Sequence, residues 1–324
     1  MRTVLVTGAN GFIGRHACEW LSQRGWQLRR AVRDSAGATA GDTVALGDLA
    51  EASESDLDRA LVGCTAVLHL AGRAHVTRET AADPRAAFDR INVHASARLA
   101  TAAARAGANH FVFASSIGVH GNRSDAPLTE DSPLAPAEPY AESKLAAERA
   151  LQDIAARTGL QLVVIRPPLV YGPHCPGNMA RLIRLIQRGW PLPLASVHAR
   201  RSLIGVRNLA SLMEVALAHD AAAGQVFVAA DGEDIGLAQL IRLLAAGLGV
   251  GTRLLPTPVP LLRLGARIAG RGATWDRLAG SLLVDAAKAR QVLDWHPEVT
   301  LAEGLRETAL SFRPLVPASG RGTE

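Results

Sequence analysis

The chain has two tyrosines, Tyr140 and Tyr171, and two lysines, Lys144 and Lys288. One of each falls within the stretch Tyr140-Ala-Glu-Ser-Lys144, a coincidence that random placement produces about once in a hundred chains. On a helix, residues four apart share a face, with about 5–6 Å between their Cβ atoms. An ammonium held there favours a phenolate, so Tyr140 is expected to titrate below its free value of about 10. Such a phenol is a general base for a hydroxyl proton, or the acid that returns it, near neutral pH. Arginine supplies 33 of the 35 Lys+Arg residues, and its planar fork does not replace a compact ammonium.

A second set of residues suits a phosphate. In Thr7-Gly8-Ala9-Asn10-Gly11-Phe12-Ile13-Gly14, Gly8 permits a tight turn and Gly11 lets a diphosphate approach the backbone. Gly14 lets a following helix pack closely on the preceding strand, and that helix start offers free N–H groups and a partial positive charge to an anion. Glycine spacing alone is weak evidence. Here an apolar run at residues 3–6 precedes it and a helical pattern from Phe12 to Arg24 follows, which is the context a dinucleotide site needs.

The elements that must position these groups alternate along the chain. Strands are expected at 3–6, 27–32, 44–46, 66–70, 110–114 and 162–165, with helices at 12–24, 83–106 and 137–158. Gly107 and Gly159 stand where left-handed helix caps belong. Short apolar strands between helices are the signature of a parallel sheet covered on both faces. After Pro167 prolines and glycines thicken, and helices are expected at 179–188, 207–219, 236–247, 259–269, 285–293 and 301–312, with one strand near 202–206. The fold class is therefore α/β, a Rossmann-type doubly wound parallel sheet with a smaller C-terminal α+β substrate-binding portion. The expected division is 1–166 for the dinucleotide domain and 167–316 for the substrate portion, some of whose segments return to the first domain. Residues 317–324 read as a tail. The basic amphipathic stretch Pro258–Arg271 reads as a helix of the substrate portion in preference to one lying on a membrane surface.

Composition excludes other classes. The 324 residues are 48% hydrophobic and 20% charged, an ordinary globular balance long enough to bury a large core. The net charge is +5 and the pI about 9.7, but aromatics are only 4% and no basic tract reaches five residues, which argues against nucleic acid. Cys18, Cys64 and Cys175 are odd in number and far apart, so neither a disulfide framework nor a zinc site is expected. No leader and no apolar stretch of membrane-spanning length is read, and the cytoplasm is the expected compartment.

The glycine spacing together with Tyr140-x-x-x-Lys144 resembles the extended short-chain dehydrogenase/reductase family, and within it the NAD-dependent epimerase/dehydratases of nucleotide sugars. The resemblance spans nearly the whole chain and includes Asp48-Leu49, His69-Leu-Ala-Gly72, Asn92-Val93, Ser115-Ser116, Arg166-Pro-Pro-Leu-Val-Tyr-Gly-Pro173, Arg201-Ser-Leu-Ile-Gly-Val-Arg-Asn208 and Leu293-Asp-Trp-His-Pro297. It implies that Ser116, with Ser115 as the alternative, joins Tyr140 and Lys144 as the catalytic set. It further implies that Gly8, Gly11, Phe12, Ile13, Gly14, Asp48, Leu49, Leu70, Ala71, Gly72 and Asn92 hold the dinucleotide, with Lys144 on the nicotinamide ribose. On the substrate side Arg201, or its neighbour Arg200, is the expected diphosphate clamp. Ser116 and Asn178 are expected contacts, and Trp190–Leu194 a wall for the base. A homodimer through the helices at 83–106 and 137–158 is the family expectation.

Two positions bear on cofactor and reaction. NAD-preferring relatives end the second strand in an acid that accepts from the ribose; here Val32 stands there and Arg33 follows, a fork suited to a 2′-phosphate. NADP is therefore favoured over NAD, although Asp34 is close enough in sequence to act as the acid. Dehydratases carry an acidic pair after the catalytic hydroxyl, whereas Ile117-Gly118 follow Ser116. Many 4-epimerases carry Asn three residues after the Arg166 position, where this chain has Leu169. The expected reaction is reduction of an NDP-4-keto-6-deoxy-hexose, N-acetylated forms included, for surface-polysaccharide precursors. The alternative is an NDP-sugar 4-epimerase of the UDP-glucose type with tightly bound NAD. A non-catalytic dinucleotide-sensing regulator is the alternative from another class, disfavoured because Ser116, Tyr140 and Lys144 are all present.

Overall fold

Strands covered by helices on both faces must be apolar on both, and the inner strands of the sheet are, whereas Gln27–Val32, next to its edge, carries Arg29 and Arg30. Six strands come first in the chain. They are β1 (Thr3–Thr7), β2 (Gln27–Val32), β3 (Thr43–Ala45), β4 (Ala66–His69), β5 (His110–Ala114) and β6 (Gln161–Arg166). The computed structural model describes residues 2–34, 42–74, 83–124, 126–270 and 272–313, so the expected tail at 317–324 lies outside the described residues. Between the strands run helices α1 (Phe12–Gln23), α2 (Glu54–Leu61), α3 (Pro84–Asp89), α4 (Ala95–Arg105) and α5 (Pro139–Thr158).

The chain then leaves the sheet through β7 (Leu169–Tyr171), α6 (Gly177–Gln187) and β8 (Arg200–Gly205), and comes back through α7 (Val206–Ala218) and β9 (Val226–Val228). The remainder comprises β10 (Asp234–Gly236), α8 (Leu237–Leu248), α9 (Val259–Ile268), α10 (Gly272–Ala279), α11 (Ala287–Leu293) and α12 (Leu301–Leu310). The large sheet has the order β3-β2-β1-β4-β5-β6-β9 with every pairing parallel. A second sheet, β10-β8-β7, pairs β8 antiparallel to β10 and parallel to β7.

Side-chain alternation along β1 sends Val4 and Val6 to one face and Leu5 to the other. On the first face they meet Leu21 of α1 and Leu209 and Met213 of α7. On the second, Leu5, Phe111 and Phe113 meet Leu57 of α2, Leu99 of α4 and Leu151 of α5. A third apolar cluster, around Tyr171, Ile183, Leu203, Ile241 and Leu305, holds the smaller sheet to α6, α8 and α12. Because the large sheet is parallel, every loop after a strand's carboxyl end opens on one edge, where ligands of such sheets bind.

The helix expected across 83–106 is not continuous. α3 ends at Asp89, one π-helical turn occupies Arg90–His94, and α4 starts at Ala95. The extra residue of a π turn rotates side chains off the regular 3.6 period. Here it leaves the Asn92 side chain buried against the strand edge. No helix among the described residues is long and apolar enough to cross a membrane.

Candidate active site

Three strand ends build the site. After β1, Gly8 has φ +69° and packs so closely on the loop after β4 that a Cβ would lie 2.7 Å from the Ala71 nitrogen. A Cβ on Gly14 would collide with the Gly8 carbonyl, so only glycine lets α1 start this near β1. The Gly11 amide donates to the Gly8 carbonyl at 2.9 Å. Gly11 then caps α1 with no side chain on its free amides, and no acid occupies the first turn. This is the cradle a diphosphate requires. Phe12 and Ile13 are half-buried beside it, Phe12 against the third cluster and Ile13 against the first.

The loop after β4 is pinned from below. Buried His69 pairs through Nδ1 with the Thr7 hydroxyl at 2.6 Å and through Nε2 with the Ser96 hydroxyl at 2.7 Å. Its ring stacks on Phe113, and burial, then the charge of Lys144, pushes its pKa down to about 3. The Thr7 hydroxyl also accepts from the Ala71 amide at 3.2 Å, and the Leu70 amide donates to the Thr7 carbonyl. Asn92 completes the clamp: its Oδ1 accepts from the Arg73 amide at 2.7 Å, and its Nδ2 donates to the Arg73 carbonyl and the Ser143 hydroxyl. A Cβ on Gly72 would lie 3.1 Å from Asn92 Oδ1 and 3.4 Å from Lys144 Nζ. Leu70, Ala71, Gly72, Asn92 and Lys144 are thus gathered within contact distance around one loop.

After β5, Ser116 opens a short 3-10 turn, Ile117–His120, and its hydroxyl accepts from the Gly118 amide at 3.1 Å. Its neighbour across the turn is Tyr140, in the first turn of α5. The chemistry expected of Tyr140 needs a correction here. Burial, only partly opposed by Ser116, pushes its pKa up to about 12, and Lys144 does not lower it. Lys144 Nζ donates to the Ala114 carbonyl at 2.7 Å and lies 4.4 Å over the Phe113 ring. Burial pulls Lys144 down to about 8, with Glu148 opposing.

Ser115, the alternative to Ser116, points the other way. Its hydroxyl donates to Glu148, one helical turn beyond Lys144, and Glu148 holds Arg166 through two bonds of 2.6 and 3.0 Å. Arg166 in turn meets His120 at 3.0 Å, and the Arg166–Glu148 pair is almost fully buried. Tyr140, Lys144 and Glu148 therefore form one face of α5, with the phenol and ammonium at its start and a charge pair at its third step.

At the adenosine end the structure places Arg33 exposed just past β2. Asp48 is half-buried after β3, and Leu49 is packed on the second core face. Burial acts to raise Asp48, but bonds from the Ala50 amide and Arg90 outweigh it and hold the carboxyl below the usual range. Asp48 thus stays ionised in a setting of Arg90 and Arg33.

On the substrate side Arg201 is half-buried on β8 and donates to the Gly280 carbonyl at 2.9 Å. Arg123 arrives at the same glycine from the loop beyond Ser116, its side chain 2.8 Å from where a Gly280 Cβ would stand. Burial lowers the Arg201 pKa, and the charge of Arg123 lowers it further. Two cations brought together off water fit a diphosphate. Sequence reasoning missed Arg123, which looks like any other arginine until Ser124 pairs with Ser281 and Leu128 with Leu283. Arg200 is directed instead to the Asp234 carbonyl. Asn178 is exposed in the first turn of α6, and Trp190 is exposed beyond that helix.

Similarities to known proteins agree with this geometry. The profile of the NAD dependent epimerase/dehydratase family matches residues 4–230. The UDP-glucose 4-epimerase of Vibrio cholerae is 34% identical over 315 residues, covering 96% of this chain and 95% of its own. The solved structure of MoeE5 with UDP-glucose and NAD is 27% identical with TM-score 0.76, over 95% of this chain and 98% of that one. The UDP-N-acetylglucosamine 4-epimerase of Bacillus cereus has the same fold, with TM-score 0.79 and 21% identity over 97% of this chain and 100% of that one.

Proposed function

Because the chain belongs to the NAD dependent epimerase/dehydratase family, we propose that it inverts C4 of a UDP-hexose through a 4-keto stage on tightly held NAD. The observation that carries this reading is the convergence of Ser116, Tyr140 and Lys144 on the strand edge that also bears the glycine cradle. The names of relatives support epimerisation over the reductase expected from sequence alone. Gly8, Gly11, Gly14, Gly72 and Asn92 would hold the dinucleotide, which bound there would supply a reversible acceptor for the C4 hydride.

The chain's own residues handle the proton. Tyr140 removes it from the C4 hydroxyl and gives it back, while the Ser116 hydroxyl donates to the same oxygen. Burial holds Tyr140 as the neutral phenol, the form that returns a proton. Lys144, with its pKa at about 8, keeps its charge at neutral pH one turn along the same helix face. Arg201 and Arg123 grip the diphosphate, with Asn178 at its nucleoside end. Ile117 and Gly118 offer no carboxylate beside Ser116, which weighs against dehydration. A homodimer through α4 and α5 belongs to the same proposal, checked by solution mass.

A second reading, the NDP-4-keto-6-deoxy-hexose reductase using NADPH, draws on Val32 and Arg33 at the end of β2. One experiment separates the two. The nucleotide released from purified protein is identified, and UDP-glucose and UDP-4-keto sugars are offered with and without NADPH. Released NAD with UDP-glucose/UDP-galactose interconversion supports the epimerase. NADPH consumption by a keto sugar without interconversion replaces it with the reductase.

A further inference from the structure

One segment of the smaller portion is built unlike the rest. α9 buries none of its residues, although it is strongly amphipathic in sequence. Leu261, Leu264 and Ile268, at helical spacing on one face, are 60%, 55% and 80% exposed. The opposite stripe, Leu262 and Ala266, is the half-buried one that faces the body. Leu255 and Val259, just before, are exposed as well. Of twelve exposed large apolar residues among those described, seven lie between Val250 and Leu278. Scattered apolar residues on a surface need no explanation, but a cluster does.

The charge around the cluster is mostly of one sign. From Val250 to Leu278 the sequence contains Arg253, Arg263, Arg267, Arg271 and Arg277 against one acid, Asp276. At 100° per residue Arg263 and Arg267 flank the exposed Leu261-Leu264-Ile268 face, where long side chains reach up to headgroups while the stripe enters the acyl boundary. The neighbouring edge continues the surface. The Leu192 amide donates to the Arg253 carbonyl at 2.8 Å, and the Leu192 carbonyl accepts from the Leu255 amide at 2.9 Å. This brings the chain just after Trp190 alongside; Trp190 is 59% exposed with the Arg188 guanidinium 5.8 Å over its ring. Aromatic rings with basic neighbours favour the membrane–water boundary.

We propose that α9 and the adjoining Trp190 edge form an interfacial surface that seats this protein on an anionic lipid bilayer. A ten-residue helix is too short to span, so the contact is in the plane of the headgroups. Apolar burial alone would serve a second protein equally. The arginine excess, five against one acid from Val250 to Leu278, is what selects an anionic surface. The inference does not depend on which reaction the chain catalyses, because its readout is vesicle binding.

The test uses the full chain with vesicles of phosphatidylglycerol and phosphatidylethanolamine, and with phosphatidylcholine vesicles as the neutral control, read by flotation. Binding to the anionic vesicles only, weakened by added salt, is expected. Leu261→Glu and Ile268→Glu should each weaken it by about tenfold or more, and Arg263→Gln and Arg267→Gln by about fivefold each, about thirtyfold together. All four side chains are exposed, so melting temperature and turnover of soluble substrate should stay at the native values. Absence of binding to anionic vesicles, or equal binding to both, overturns the proposal. So does a native oligomer that Leu261→Glu dissociates, which would assign the face to a second copy of the chain.

Discussion

The strand-end turn around Tyr140 and the junction around Tyr171 place the same side chain in opposite settings. Tyr140 is half-buried in the first turn of α5, near the Ser116 hydroxyl, with an ammonium on the next turn. Tyr171 is wholly buried in the third core, its hydroxyl donating to Asp231 at 2.7 Å. Asp231 also accepts from the Asn208 amide at 2.8 Å and the Gly205 backbone at 3.0 Å, and Asn208 bonds onward to Val299. A Cβ on Gly304 would stand 2.8 Å from the Tyr171 hydroxyl. Burial raises the pKa of both phenols, and at Tyr171 the Asp231 carboxylate raises it further. The junction therefore locks a proton in place. The turn holds its phenol with no such acceptor among the described residues, the freedom that the proposed proton exchange with a substrate needs.

The largest effect expected from this contrast is kinetic. Tyr140→Phe keeps the ring against Phe88 and should reduce turnover on the order of 10³-fold while cofactor binding and melting temperature hold. Tyr171→Phe should do the reverse. It removes a donor from a buried carboxylate, so urea unfolding should show a loss of about 2–3 kcal/mol with turnover per folded molecule near native. If Tyr140→Phe unfolded the protein, or Tyr171→Phe abolished turnover at native stability, the division between reactive turn and structural junction would be wrong.

That division was half legible in the sequence. Tyr140 and Lys144 stood out because the chain is poor in both types, and Gly8, Gly11 and Gly14 because the expected strand and helix flank them. The strand periods of β1, β4, β5 and β6 were plain because buried parallel strands are apolar throughout. β9, which completes the large sheet, is only Val226-Phe227-Val228, too short to carry a period. The π turn that seats Asn92 has no residue signature. Arg123 reaches Gly280 only through a long-range pairing that no local pattern announces. The phenol's pKa was misjudged in direction because spacing reveals a neighbouring charge but not desolvation, and at Tyr140 desolvation is the larger influence.

Acid should separate the two regions next. His69, beneath the reactive turn, has its pKa pushed to about 3 by burial, below its ordinary 6.5. The unfolded chain therefore binds the extra proton first as pH falls below about 6.5, and stability present at pH 7 is lost progressively toward pH 3. At 1.36 kcal/mol per pH unit the loss by pH 5 is about 2 kcal/mol from this residue. Comparing urea midpoints at pH 7 and pH 5 reads it, and His69→Gln, which does not titrate, should lose that part of the pH dependence. An unchanged dependence in His69→Gln would remove His69 as the acid-sensitive support of the turn.

The smallest effect expected lies in the junction, at Asp231→Asn. Burial raises the Asp231 pKa despite the donors from Asn208, Tyr171 and Gly205. A raised carboxyl pKa means the folded state binds its proton more tightly than the unfolded one, so the charge counts against stability above that pKa, pH 7 included. Asparagine removes this penalty but turns an N–H₂ group toward other donors. Asn208 does not flip to meet it, because its Oδ1 already accepts from the Glu298 and Val299 amides at 3.0 Å. The two changes oppose each other, and the net shift at pH 7 should stay within about 1 kcal/mol, well below that of Tyr171→Phe. A loss larger than that of Tyr171→Phe would show that the carboxylate charge, rather than the number of donors it gathers, holds the junction together.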